Sequence, residues 1–169
     1  TLSTLNTMRP SPMPEGVEDV RTEADIVEGL LELKRRRPAA RRAVVKLNES
    51  FSGEGNAIVR LPASKDDASG MRRALRRMSP CGPGETFGSY LAKLDRMGGI
   101  VEEFLEYEES ASPSAQLRID PQGEVVLLST HDQILGGPSG QVYLGCRFPA
   151  ADGYRRQVQD AARRVGKVL

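Results

Sequence analysis

The stretch "VVKLNESFSGEGNAIVRL", Val44 to Leu61, decides how this chain is read. Two runs rich in β-branched and apolar residues flank a turn of Ser and Gly, which is the pattern of a β-hairpin. Lys46 stands near the end of the leading strand, and Gly53 and Gly55 lie in the turn. Glycine reaches backbone conformations closed to other residues and lets a ligand approach the main chain, so a Gly-rich bend can aim several amides at phosphate oxygens. Ser52 adds a hydroxyl, and the Lys46 ammonium is a compact charge that reaches phosphate. The loop is not a Walker A motif, which requires GxxxxGK[S/T] opening a helix; here a second strand follows. The same residues also suit an ordinary hairpin turn with a solvated lysine, and the hairpin alone leaves both readings open.

Outward from the hairpin, the spacing predicts an α+β order. Thr22, followed by Asp25, is a helix start, and Ile26, Leu30, Leu31 and Leu33 recur at helical intervals up to Pro38. Residues Asp67–Met78 and "TFGSYLAKLDRM" predict two further helices, the second stopping at Gly98 and Gly99. "GIVEEFLEYEE" reads as a strand. "AQLRIDPQGEVVLLSTHDQIL" reads as two strands joined at Pro121, Gln122 and Gly123, a favoured turn composition. A second Gly-rich loop, "GGPSGQ", leads to the strand "QVYLGCRF", and a final helix begins near Ala151. Thr1–Val20, with Pro10, Pro12, Pro14 and Gly16, suits an extended arm or linker. Neighbouring strands are therefore expected to be mostly antiparallel with helices to one side, in two lobes.

Composition narrows the partners. The 169 residues and 38% hydrophobic content suffice for a packed core, and 24 basic against 23 acidic residues leave no net field to hold a nucleic acid or a membrane surface. No apolar run approaches the roughly 20 residues of a spanning helix, so the chain is expected to be soluble and cytoplasmic. Cys81 and Cys146 stand far apart with no CxxC pair, which predicts neither a disulfide nor a zinc site. The chain opens on Thr1 and closes on "DAARRVGKVL", where apolar residues still recur at helical spacing, so it is expected to be part of a longer protein.

A lysine-bearing strand, a glycine-rich loop, a return strand, helices and then an apolar-to-acidic "IVEEFLEYEE" resemble the nucleotide-binding lobe of the ATP-grasp superfamily. More narrowly, "VVKLNESFSGEGNA", "GGIVEEF", "SPSAQLRI" and "STHDQILGGPSGQVYLGCRFPA" resemble the pheganomycin-type peptide ligases, from about Pro14 to Leu169. The resemblance implies a truncated ATP-grasp fold: an arm at 1–20, a nucleotide-covering small lobe at 21–105, and the start of a larger lobe at 106–169. It implies ATP between the lobes, with Lys46 on the phosphates and Ser52, Gly53, Glu54 and Gly55 as a mobile flap. Glu102, Glu103, Phe104 and Leu105 map onto the segment that faces adenine, Phe104 and Leu105 reading the base edge through an amide and a carbonyl. Glu109, or Glu108, maps onto the carboxylate that binds the ribose hydroxyls. The implied activity is an ATP-dependent joining of a carboxylate to an amine through an acylphosphate, which asks the protein for positioning and charge neutralisation rather than a nucleophilic side chain. Magnesium is implied with it, its ligands on strands beyond Leu169; the fragment alone is then expected to be inactive. Substrates would be small-molecule or peptide acids and amines.

The only histidine lies in "STHDQILGGPSGQ". His131 beside Asp132 invites a triad, but no Ser or Cys stands in a nucleophile context and strand alternation sends the two side chains to opposite faces. Arg118 on the preceding strand offers a planar fork for a carboxylate. Arg118, His131 and Gln133 are therefore candidates for substrate binding. Two other classes stay open. "KRRRPAARR" and "RRALRR" are basic clusters of the kind that bind nucleic acid, though only 5% of the chain is aromatic. Glu49-Ser50, where the family pattern has a glycine before Phe51, also allows a non-catalytic nucleotide-binding or scaffold module.

Overall fold

A computed structural model of the chain describes residues 14–64, 67–106, 111–137 and 139–169. They fall into two compact units, the first gathering the described residues of Pro14–Glu106 and Gly136–Val142, the second those of 107–135 and Tyr143–Leu169.

The first unit is built on an antiparallel sheet ordered β1-β5-β2-β3-β4: Gly16–Val20 (β1), Gly99–Glu103 (β5), Arg42–Leu47 (β2), Asn56–Arg60 (β3) and Ser79–Pro80 (β4). Three helices accompany it, α1 (Glu23–Arg36), α2 (Ala68–Leu75) and α3 (Phe87–Met97). Because opposed residues of an antiparallel pair share a face, the register Val45↔Ala57 and Val45↔Val101 puts Ala43, Val45, Leu47, Ala57, Val59 and Val101 on one side. That side is the core, closed by Ile26, Leu30 and Leu33 of α1, Met71 and Leu75 of α2, and Tyr90 and Leu94 of α3. Each fully buried Leu or Ile there contributes about 1.5–3 kcal/mol relative to exposure. The other side carries Arg42, Val44 and Lys46, then Asn56, Ile58 and Arg60, then Ile100 and Glu102. Lys46 and Glu102 therefore lie on the face turned away from the core, while Glu103 lies on the core side.

Local chemistry sets the helix ends. Thr22 and Asp25 form a capping box, with the Asp25 amide donating to Thr22 Oγ1 at 3.1 Å and the Thr22 amide to Asp25 Oδ2 at 2.9 Å. Helix α3 starts on a second box, Thr86 with Ser89, and ends at Gly98, whose φ of +73° favours glycine. The chain then enters β5 at Gly99, where a Cβ would overlap the Lys46 carbonyl and Leu94.

The expected arm at 1–20 is corrected in part. Residues 1–13 lie outside the described residues, but Gly16–Val20 is a strand paired to β5, with Val17 opposite Val101 and Val20 buried. An irregularity between Val17 and Val20, with Asp19 at φ +61°, breaks the strict alternation that would have marked it as a strand. The two-residue edge strand β4 was likewise hidden, being short and ending in proline.

The second unit orders its three strands β6-β7-β8: Pro113–Ile119 (β6), Val125–Gly136 (β7) and Val142–Arg147 (β8), with α4 (Asp152–Gly166) packed on β6. The predicted Pro121–Gly123 turn closes through the Gly123 amide on Asp120 O at 2.9 Å, while Asp120 Oδ1 accepts from the amides of Gln122 and Glu124. Gly166 lies so close to Val125 and Leu117 that a side chain there would drive helix and sheet apart.

Candidate nucleotide site

The bend that follows β2 is a tight turn. The Glu54 amide donates to Phe51 O at 3.1 Å, and the two central residues, Ser52 and Gly53, have φ of +57° and +77°, the arrangement of a type I′ turn. A second turn overlaps it, from the Asn56 amide to Gly53 O at 3.2 Å. Among the described residues, the amides of Ser52, Gly53 and Gly55 have no acceptor. Gly53 is required twice over, by its positive φ and because a Cβ would collide with the Gln141 carbonyl oxygen. Gly55 is buried against Ser50, with equally little room. At the tip, Phe51 is 75% exposed.

The root of the bend is held from below. Tyr90 on α3 is fully buried, and its hydroxyl lies 2.9 Å from both Val45 O and Gly55 O, one proton serving two carbonyls. Burial pushes this phenol far above its ordinary range, with Cys81 and Glu85 adding to the effect, so it stays a donor. The Leu47 amide donates to the same Gly55 carbonyl at 3.0 Å. The root of the turn thus rests on Tyr90 of α3, and Gly53 lies against the Gln141 carbonyl.

Lys46 lies on the face opposite Tyr90. Its ammonium makes an ion pair with Glu102 of β5, diagonally across the β2–β5 ladder; the Lys46 side chain is 37% exposed and that of Glu102 only 6%. The Glu102 carboxylate is thus buried as the partner of the lysine. Glu103 points to the opposite face and pairs with Arg37, 3.3 Å away. The Phe104 amide, expected to read the base edge, donates to Arg42 O at 3.2 Å, and the Phe104 ring carries the Arg42 guanidinium 4.2 Å from its centroid. The Leu105 amide and the Phe104 carbonyl take no part in that bond. Glu108 and Glu109 lie outside the described residues. Ser52, Gly53, Glu54, Gly55 and Lys46 are brought to one end of one sheet; Phe104 and Leu105 follow the far end of β5.

In the second unit, a bulge between Gln116 and Leu117 resets the register so that Arg118 faces Val126, Gln116 faces Ser129 and Ser114 faces His131. Arg118, His131 and Gln133 thereby share one face of the sheet. Gln133 is engaged with Ser112, through the Gln133 amide to Ser112 O at 2.8 Å and Ser112 Oγ to Gln133 Oε1 at 3.1 Å. Asp132 points to the other face, where Oδ2 accepts the Ala151 amide at 2.9 Å at the start of α4. Hydrogen bonding to the Asp132 carboxylate, foremost, holds the Tyr154 phenol above its ordinary range. The pair His131–Asp132 is therefore split, with the aspartate tied to helix α4.

Sequence reasoning missed Tyr90, Glu102 as an ion-pair partner, and Gln141. Tyr90 reads as one more core aromatic on an amphipathic helix, and only its hydroxyl, reaching two carbonyls 35 and 45 residues away in sequence, gives it this part. Among the described residues, no group of three or more His, Cys, Asp or Glu is placed to hold a metal ion, and no helix is long and apolar enough to cross a membrane.

The sequence profile of the family described as "IQCH-like, ATP-grasp" matches residues 84–169. The chain is 40% identical over 162 residues to the L-propargylglycine–L-glutamate ligase of Streptantibioticus cattleyicolor, a match covering 93% of this chain and 31% of that protein. It is 24% identical over 186 residues to the IQ motif-containing protein H of Danio rerio, covering 92% of this chain and 18% of that protein. The chain thus spans a third or less of the length of these curated relatives. Among solved structures, it is similar to a carboxyaminoimidazole ribonucleotide synthase from Aspergillus clavatus complexed with ATP. That likeness has a TM-score of 0.53 at 15% identity and covers 96% of this chain and 35% of that one.

Proposed function

Because the chain belongs to the IQCH-like ATP-grasp family and carries part of the ATP-grasp fold, we propose that it is the nucleotide-covering part of a larger ATP-dependent ligase joining a carboxylate to an amine. On this reading residues 21–105, extended by β1, are the small lobe, and 106–169 begin the larger one. ATP supplies the phosphoryl group that activates the carboxylate as an acylphosphate, which the amine displaces. The chain's own contribution is positioning. The amides of Ser52, Gly53 and Gly55 cradle phosphate oxygens, Lys46 neutralises them, and Phe104 O with the Leu105 amide meets the base edge. Arg118 and His131, on one face of the second sheet, are proposed to bind substrate, with Gln133 beside them.

The observation that carries this reading is the hairpin end: a lysine and a turn in which the amides of Ser52, Gly53 and Gly55 lack acceptors among the described residues, at the same end of one sheet. That chemistry fits a polyphosphate. The described residues do not fit a bound magnesium, since among them no group of three or more His, Cys, Asp or Glu is placed to hold one. A second reading, a nucleotide-binding module without catalysis, is favoured by the Lys46–Glu102 pair, which occupies the ammonium. The full-length protein, given Mg-ATP, L-glutamate and hydroxylamine, is expected to form a hydroxamate and ADP, and Lys46→Ala to weaken ATP binding at least about tenfold, as lost charge-assisted contacts to phosphate do. Heat of ATP binding without hydroxamate would leave the module; no heat of binding in the unaltered protein would end both readings.

A further inference from the structure

The helix-free face of the first sheet ends, beyond Val44 and Ile58, in a hollow of about 410 Å³ that shares no lining residue with the bend, with Lys46 or with Phe104 and Leu105. Four guanidinium side chains line it, Arg42 of β2, Arg60 at the end of β3, and Arg73 and Arg77 from α2 and the turn after it, together with Ser79 of β4 and Ser139 of the second glycine loop. Among the described residues, no Asp or Glu lines it.

The charges do not cancel locally. Arg42 is neutralised by Glu106, 2.7 Å away, and Arg73 has Asp67 at 3.7 Å. Arg60 and Arg77 have no acidic partner among the described residues. The two charges left without an acidic partner repel one another, so the arrangement is favourable where an anion or water compensates them. The chain as a whole is nearly neutral, with net charge +1, so the excess is a local feature. The size is that of a small-molecule site, within the ~300–1,000 Å³ of ligand pockets. The forked donors of guanidinium match the paired oxygens of carboxylate and phosphate, and the two serine hydroxyls add neutral donors.

We propose that this hollow binds a small polyanion, a molecule bearing two or more carboxylate or phosphate groups, held chiefly by Arg60 and Arg77 with Arg42 and Arg73 at its sides. Since the site lies apart from the bend, it stands or falls independently of the ATP reading. Arg42 links it to the Phe104–Glu106 segment, so an anion drawing Arg42 from Glu106 would also loosen that segment's ion pair.

The test titrates the chain with L-glutamate and, separately, inorganic pyrophosphate, following the Nε–H signals of the arginines by NMR. Selective shifts of Arg60 and Arg77 with either probe, weakening as salt is raised, are expected. Response to glutamate alone assigns a polycarboxylate, and response to pyrophosphate alone a phosphate-bearing ligand. The double variant Arg60→Ala/Arg77→Ala is expected to lose at least about tenfold in affinity for the active probe, as broken bidentate pairs do. Absence of arginine shifts with both probes overturns the proposal, whatever the variant does; so does equal affinity in a folded double variant.

Discussion

Lys46 and Glu102 couple stability to function at the level of single side chains. A carboxylate as buried as Glu102 is tolerable because the ammonium of Lys46 lies against it. Replacing Lys46 by Ala strands that carboxylate and should cost roughly 2 kcal/mol, less than the ~3–5 of a fully buried pair because Lys46 is partly exposed. Adding Glu102→Gln should recover part of the loss, and urea denaturation of the single and double variants reads both effects. At the bend, Gly53→Ala must adopt a left-handed φ against the Gln141 carbonyl. A loss of roughly 2–3 kcal/mol is expected, and an unchanged urea midpoint would show that the turn simply re-forms elsewhere. That Lys46, Gly53 and Gly55 sit at one hairpin end was legible in the sequence because the hairpin is local. Glu102 was not, since its partner lies 56 residues away and is set by strand pairing.

The helices show how far local patterning carries. Both N-terminal capping boxes and the glycine stop of α3 follow from side chains within four residues, which is why α1 and α3 could be drawn from sequence nearly to their ends. These starts also carry a pH dependence. The Arg21 amide foremost, then that of Thr22, holds Asp25 below its ordinary value of 3.8, and the Gly70 amide foremost does so for Asp67 at the start of α2. A carboxylate whose folded value is depressed adds stability above its unfolded value and loses it as pH falls through the folded one. Urea midpoints should therefore hold steady down to about pH 5 and fall below about pH 4, with a shallower fall in Asp25→Asn. Tyr90 is the counter-case, a helix residue whose importance lies outside its helix. Tyr90→Phe removes the shared donor to Val45 and Gly55 and should cost about 1–2 kcal/mol, read by the same denaturation and by faster exchange of the Leu47 amide.

On the scale of the molecule, stability is unevenly divided. Among the described residues, every buried apolar residue apart from Ala150 belongs to the first unit, while the second exposes Leu128, Ile134, Tyr143, Leu144 and Phe148. Amide exchange should accordingly be slowest at Val45, Val59 and Val101 and markedly faster along β6 and β7. Equal protection of the two sheets would contradict that division. The family relationship spans both units, since the matched residues 84–169 begin in the first and end in the second.

The sequence by itself determined the kind and order of the elements other than β1 and β4, the antiparallel α+β class and the family, because apolar periodicity, caps and glycine-bearing turns act over a few residues. Only the tertiary structure decided that Gly16–Val20 is a strand, that Lys46 is held by Glu102, that the Phe104 amide is engaged by Arg42, and that a bulge aligns Arg118 with His131 and Gln133. Each of these depends on register between distant strands, and register is fixed by which face buries its apolar residues, a property of the packed sheet rather than of any one segment.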